Sequence, residues 1–213
     1  MSRPTATSPI GVTPYSIQEL LGNDLLSDEE ITWAGQPDPK IYFTKADAFL
    51  VPFSLLWGGF ALFWEGAVIA ALLSGEGRSG NGGSLYMFVV FGSFFGVMGL
   101  YFMFGRFIYK RLRKKNTSYV ITNKRVISLS TFLGRNLKTA YLDQISSMEK
   151  SANASGVGSI TFGNPGQLTQ YENTGMDFFA GSFGDSRPNF HDIHEVDKVF
   201  DLINSARSTA RGR

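Results

Sequence analysis

Hydrophobic and polar positions change their spacing several times along this chain, and each change marks an element. Residues 1–14 are rich in Ser, Thr and Pro without an apolar cluster, the pattern of an unstructured lead-in. From Tyr15 the spacing turns helical, since Ile17, Leu20 and Leu21 fall at i, i+3 and i+4 and predict a short amphipathic helix. Ser27 and Glu30 stand at the spacing of a capping box, and Gly35, Pro37 and Pro39 end any helix they begin. Two almost unbroken apolar runs follow, Ala48 to Leu73 and Leu85 to Tyr109. Beyond Asn116 the period is two, and strands are predicted at Ser118 to Thr122, Val126 to Ser130, Leu137 to Leu142, Gln144 to Lys150 and Ser159 to Phe162. A one-sided stripe returns only near the end, where Val196, Val199, Phe200 and Ile203 predict a closing helix.

Each apolar run is long enough to span a membrane, which takes about 20 predominantly apolar residues. Each carries one charge, Glu65 in the first and Arg106 near the end of the second, and the rest of the chain is too small to bury both. The short Gly- and Ser-rich link from Ser74 to Ser84 makes them an antiparallel transmembrane hairpin. Basic residues gather after the second run, at Arg106, Lys110, Arg111, Arg113, Lys114 and Lys115, while the link offers only Arg78. That asymmetry predicts both termini on the cytoplasmic side of the inner membrane. Lys110, Arg111, Arg113, Lys114 and Lys115 are thereby candidate contacts for anionic lipid headgroups, besides fixing topology. Glu65 is a candidate intramembrane polar residue, serving an ion or proton path or else lying near the outer headgroups. Gly92, Gly96 and Gly99 suit close helix packing, within the hairpin or in a homo-oligomer.

In the soluble part, Asn123-Lys124 reads as a tight turn with Asn at positive φ. For the last helix, Asp192 is the expected N-cap, with Glu195 three residues on and Arg207 in the final turn. Antiparallel strands closed by one helix are the order of a pleckstrin-homology-like (PH-like) β-barrel, here C-terminal to the hairpin.

Composition narrows the chemistry. The net charge is only +2, so a uniformly basic nucleic-acid binder is excluded, and without Cys there is no thiolate metal site or cysteine nucleophile. His191 and His194 have H-x-x-H spacing, but His191 precedes the predicted helix and a third ligand would have to be Asp192 or Asp197. No triad order or phosphate-cradling loop stands out, so no enzyme activity, metal or cofactor is expected. The long Gly-rich stretch from Gly163 to Pro188 contains Phe178, Phe179 and Phe183. It is read either as a sixth strand near Phe178 to Phe183 within an enlarged hairpin or as an apolar lip that meets a protein or peptide partner or the bilayer.

Three stretches resemble a known family. Tyr119-Val120-Ile121-Thr122-Asn123-Lys124-Arg125-Val126-Ile127 is similar to the Y-x-[IL]-T-x-x-R-[VI] signature of bacterial PH-domain membrane proteins of unknown function. Gly158-Ser159-Ile160-Thr161-Phe162 is similar to their G-[ST]-I-x-[FL] strand, and Glu30-Ile31-Thr32-Trp33-Ala34-Gly35-Gln36-Pro37 resembles the element before their two-helix hairpin. The resemblance implies the fold and the membrane attachment and no catalytic residues. Adjacent Lys124 and Arg125 point to opposite faces of a strand, which argues against a shared phosphate cradle and for a solvated face. The expected organisation is a lead-in at 1–45, a transmembrane hairpin at 46–110, a PH-like domain at 111–208 and a tail at 209–213. The expected function is a membrane-anchored interaction module, with lipid sensing through the basic cluster or a transport accessory using Glu65 as alternatives.

Overall fold

The computed structural model describes residues 14–75, 82–164, 172–176 and 187–212. In chain order these form α1 (Pro14–Leu21), β1 (Ile31–Gly35), α2 (Asp47–Leu73) and α3 (Gly82–Leu100). A π-helical turn at Tyr101–Gly105 leads into α4 (Arg106–Lys115). Then come β2 (Thr117–Thr122), β3 (Arg125–Ser130), β4 (Asn136–Tyr141), β5 (Met148–Ala152), β6 (Gly158–Phe162), β7 (Phe190–Ile193) and α5 (Val196–Arg211). Two compact units result, one of residues 43–109 with 174–176, the other of the sequence on either side.

The strands lie in the second unit as two antiparallel sheets, ordered β1-β2-β3-β4 and β5-β6-β7. Alternation along β2 explains why a strand of mixed composition is buried throughout. Tyr119 and Ile121 enter a core with Ile160, Phe162, Phe190 and Ile193 of the other sheet, and α5 covers that core with Val196, Val199 and Ile203. Val120 points the other way, toward Ile127 and Leu129, where Ile17 and Leu21 of α1 seal the outer face. Phe190 is the centre of the aromatic packing, stacked on Tyr119 at 4.5 Å and edge-on to Phe162 at 5.3 Å.

Several expectations change. Among the described residues the strands form two separate sheets rather than one closed barrel, and the link after β4, which sends Leu142 and Ile145 into the core, carries the chain from one sheet to the other. β1 and β7 were not foreseen. β1 pairs with β2 through Gly35 opposite Tyr119, so the described lead-in belongs to the sheet, and the hairpin is an insertion between neighbouring strands. No helix begins at Ser27; Glu29, not Glu30, accepts the Leu26 N–H at 3.0 Å. Asn123 is not among the residues at positive φ. Asp192 is not the N-cap of α5 either, since it belongs to β7, and Glu195, at φ 50°, takes that place without a side-chain cap. Arg207 bonds the Ser146 carbonyl at 2.8 Å rather than the end of its own helix.

The other unit holds α2 and the part of the helix Tyr86–Lys115 up to Tyr109, and both helices are long and apolar enough to cross a membrane. The two are antiparallel across a seam of small residues. A Cβ on Gly99 would lie 2.9 Å from the Gly58 Cα, so the glycines set the approach of the backbones. The Gly92, Gly96, Gly99 stripe is accordingly spent, at least at Gly92 and Gly99, within the hairpin.

Candidate functional site

The signature segment Thr122 to Arg125 forms the β2–β3 connection, and its polar groups are turned onto the lead-in. The Thr122 hydroxyl accepts the Arg125 N–H at 3.0 Å and donates to Glu29 at 2.7 Å. The Arg125 guanidinium forks onto both Glu29 oxygens, at 2.8 and 2.9 Å, and also reaches the Asp24 carbonyl. Lys124 pairs with Asp28 at 2.5 Å and Arg135 with Asp24 at 2.5 Å. The predicted solvated basic face is therefore neutralised from within, by carboxylates whose importance the sequence did not reveal. Burial raises the pKa of Glu29, but hydrogen bonds from Arg125, the Leu26 N–H and Thr122 outweigh it, and the carboxyl ends below its ordinary range. This constellation clamps the fold; its donors are occupied.

α4 inverts the usual arrangement of an amphipathic helix. Lys110 and Lys114 are 3% and 4% exposed. Lys110 Nζ donates to the Tyr42 carbonyl at 2.7 Å. Lys114 Nζ donates to the Ile41 carbonyl at 2.7 Å and to Asp192 at 2.5 Å. Of the five predicted headgroup contacts, these two face inward, where they satisfy carbonyls of the irregular segment before α2. Arg111 and Lys115 are exposed, and Arg113 is half-buried. The exposed face also holds Ile108 and Leu112. Two interleaved series at i+4 are written into α4, and spacing alone did not say which would turn inward.

Beside Lys114 lies a polar cluster. Asp192 also accepts from the Asn173 amide at 2.5 Å, His194 meets Asp38 at 3.1 Å, and His191 meets Glu172 at 3.4 Å. The two histidines thus face different carboxylates instead of converging. Among the described residues no group of three or more His, Asp or Glu could hold a metal ion. Burial raises the pKa of Glu172, but bonds from His191 and the Asn189 amide more than offset this, leaving it below its ordinary value. Burial pushes the Tyr119 phenol up, and its oxygen accepts the His191 N–H at 3.1 Å. Glu172 and Asp38 were not singled out from the sequence, since each lies in an irregular segment without a motif.

In the hairpin unit Glu65 lies in the helix seam. Ser93 donates to its Oε1 at 2.8 Å, and a Cβ on Gly92 would collide with Oε2, so only glycine leaves the carboxyl its place. Arg106 and Asp47 form a second interhelical pair at 2.5 Å, at exposures of 1% and 2%. Phe178, Phe179 and Phe183, and the strand expected there, lie outside the described residues.

A profile of the bacterial PH domain matches residues 59–207, more than half of the chain. The chain belongs to the bacterial PH-domain family, in agreement with the signature segments and with the order of two sheets and a closing helix. No curated protein and no solved structure matches it significantly.

Proposed function

We propose that this chain is a membrane-anchored interaction module: a two-helix hairpin holds the PH-like domain at the cytoplasmic face of the inner membrane, where it binds a protein or peptide. The observation that carries this reading is the outward face of the hairpin. Phe49, Leu56 and Phe63 on α2, and Val90, Phe94 and Val97 on α3, are all exposed. Exposed apolar surface costs about 25 cal/mol per Å² in water, and hydrocarbon removes that cost. Insertion of the hairpin between β1 and β2 supports anchoring, because the membrane segment is then part of the domain's own chain path. The basic residues after the second span support the cytoplasmic assignment, since the topological rule counts them whether or not they are later buried.

Binding without catalysis is supported by membership of a family built on a recognition fold. The outer edges of β4 and β5 have no strand neighbour among the described residues, which suits an extended peptide added by main-chain hydrogen bonds. Anchoring is tested in intact cells with tags at either terminus and in the 76–81 link. The expected result is a link tag open to external protease, both terminal tags protected, and a chain that resists alkaline extraction. An accessible C-terminal tag with a protected link overturns the orientation, and extraction into the supernatant overturns the anchor.

A further inference from the structure

On the membrane-anchored reading, we propose that the outward face of α4 and the β3–β4 turn form a contact with an anionic bilayer surface, apolar side chains entering the headgroup layer between basic ones. The first observation is the inversion of α4. Ile108, Arg111, Leu112 and Lys115 fall at i, i+3, i+4 and i+7 and make one exposed face, while Lys110 and Lys114 are buried on the other. A helix that buries lysines and exposes Ile108 at 62% and Leu112 at 43% is arranged for an apolar neighbour.

Continuity is the second observation. Phe104, Ile108 and Leu112 follow each other at steps of four on the single helix Tyr86–Lys115, so one apolar stripe runs from the candidate span onto α4.

The third observation is the turn itself. Leu133 is 75% exposed and sits at φ 56°, a left-handed conformation that bulky side chains rarely adopt. The turn is tied to the end of α4, because the Thr131 N–H donates to the Asn116 carbonyl at 2.9 Å and the Asn116 amide donates to the Leu112 carbonyl at 2.8 Å. It therefore lies at the end of the sheet where the chain arrives from α4. Arg111 and Lys115 supply positive charge on this face; Arg135 is engaged by Asp24 and is not counted. Apolar groups interleaved with cations are what an interfacial element needs to bind an anionic leaflet.

The chain has no Cys, so single cysteines can report position. The full chain carrying Leu133→Cys or Leu112→Cys is labelled with an environment-sensitive dye. It is reconstituted in phosphatidylcholine vesicles, with or without phosphatidylglycerol. Leu56→Cys on the hairpin is the control for insertion. At positions 133 and 112 the emission is expected to shift to the blue and rise roughly twofold only in the anionic vesicles. The change should disappear in about 1 M salt, and in the Arg111→Gln/Lys115→Gln variant. The Leu56 dye should report an apolar setting in both vesicles. Aqueous signals at 133 and 112 with an apolar signal at 56 overturn this contact and leave the anchor standing. An aqueous signal at 56 overturns the anchor and the contact together. Signals at 133 and 112 that ignore lipid charge also overturn the proposal. Should Leu133→Cys fail to fold, Leu112→Cys tests the same contact from the helix.

Discussion

Glu29 and Arg125 lie far apart in sequence, and their side chains are 0% and 9% exposed. Removing one partner of such a pair leaves a buried charge unmatched, a loss of about 3 kcal/mol or more. Glu29→Gln is expected to destabilise the chain by that order in a denaturant titration of the detergent-solubilised protein. Its pH dependence has a definite sign. The folded-state carboxyl titrates below its ordinary range, so its contribution is present above the unfolded value and is lost as pH falls through the folded one. Wild type should weaken on acidification, and Glu29→Gln should lack that part of the acid sensitivity; equal acid slopes for the two would show the pair to be unimportant. Asp47 and Arg106 make a parallel case inside the hairpin, where Asp47 also accepts the Thr44 hydroxyl at 2.7 Å. Arg106→Met is expected to cost several kcal/mol, and adding Asp47→Leu should recover much of it, because a pair of apolar groups leaves no orphaned charge. A double variant worse than the single one would contradict this.

At the scale of elements, the hairpin depends on the Gly58 and Gly99 approach. A Cβ at Gly99 lands on the backbone of the opposite helix, which cannot swing aside as a side chain can. Gly99→Val is expected to cost about 1–3 kcal/mol of overpacking, read as a lower midpoint in a detergent titration followed by circular dichroism. A Val at Gly59, which has open space beyond its Cα, is the control and should change little. The same elements show what a single sequence can and cannot convey. α2 and the second span announced themselves by length and unbroken apolar composition, and β2 to β6 and α5 by period, although β5 is mostly exposed and begins at Met148, later than the expected Gln144. β1 was hidden because Ile31, Trp33 and Gly35 lie in a short stretch between acidic residues and prolines, and its partner β2 is separated from it by the whole hairpin. β7 is four residues long and too brief to show a period. Asp192 had the chemistry of an N-cap, but its carboxylate is held by Lys114, a long-range contact that local spacing does not encode. For the candidate site, the identity of the basic residues on α4 was legible, while their facing was decided by carbonyls of residues 38–42 lying far upstream in the chain.

At the scale of the molecule, the insertion of the hairpin between β1 and β2 sets which piece of the chain folds alone. A fragment from Lys115 to Arg213 lacks α1 and β1. It would expose Val120, Ile127 and Leu129, which Ile17, Leu21 and Ala34 cover, and would leave the β2 edge without its partner. It would also leave Arg125 without Glu29. Such a fragment is expected to aggregate or to show poor thermal cooperativity. The complementary design keeps both flanks and removes only the hairpin, joining residues 14–42 to 110–212 by a short Gly-Ser linker. The join is short because Lys110 Nζ already meets the Tyr42 carbonyl at 2.7 Å, and closing a loop of a few residues costs little. Every described strand, both covering helices and the Glu29–Arg125 clamp are then present. The linked chain is expected to be soluble without detergent, rich in β-structure by circular dichroism, and to melt in one cooperative transition, with Phe190→Ala lowering its stability by about 3 kcal/mol or more as a buried aromatic core residue. If the fragment starting at Lys115 melts as cooperatively as the linked chain, β1 and α1 are dispensable and the domain begins after the hairpin. If neither folds without detergent, the hairpin is itself required to form the sheet.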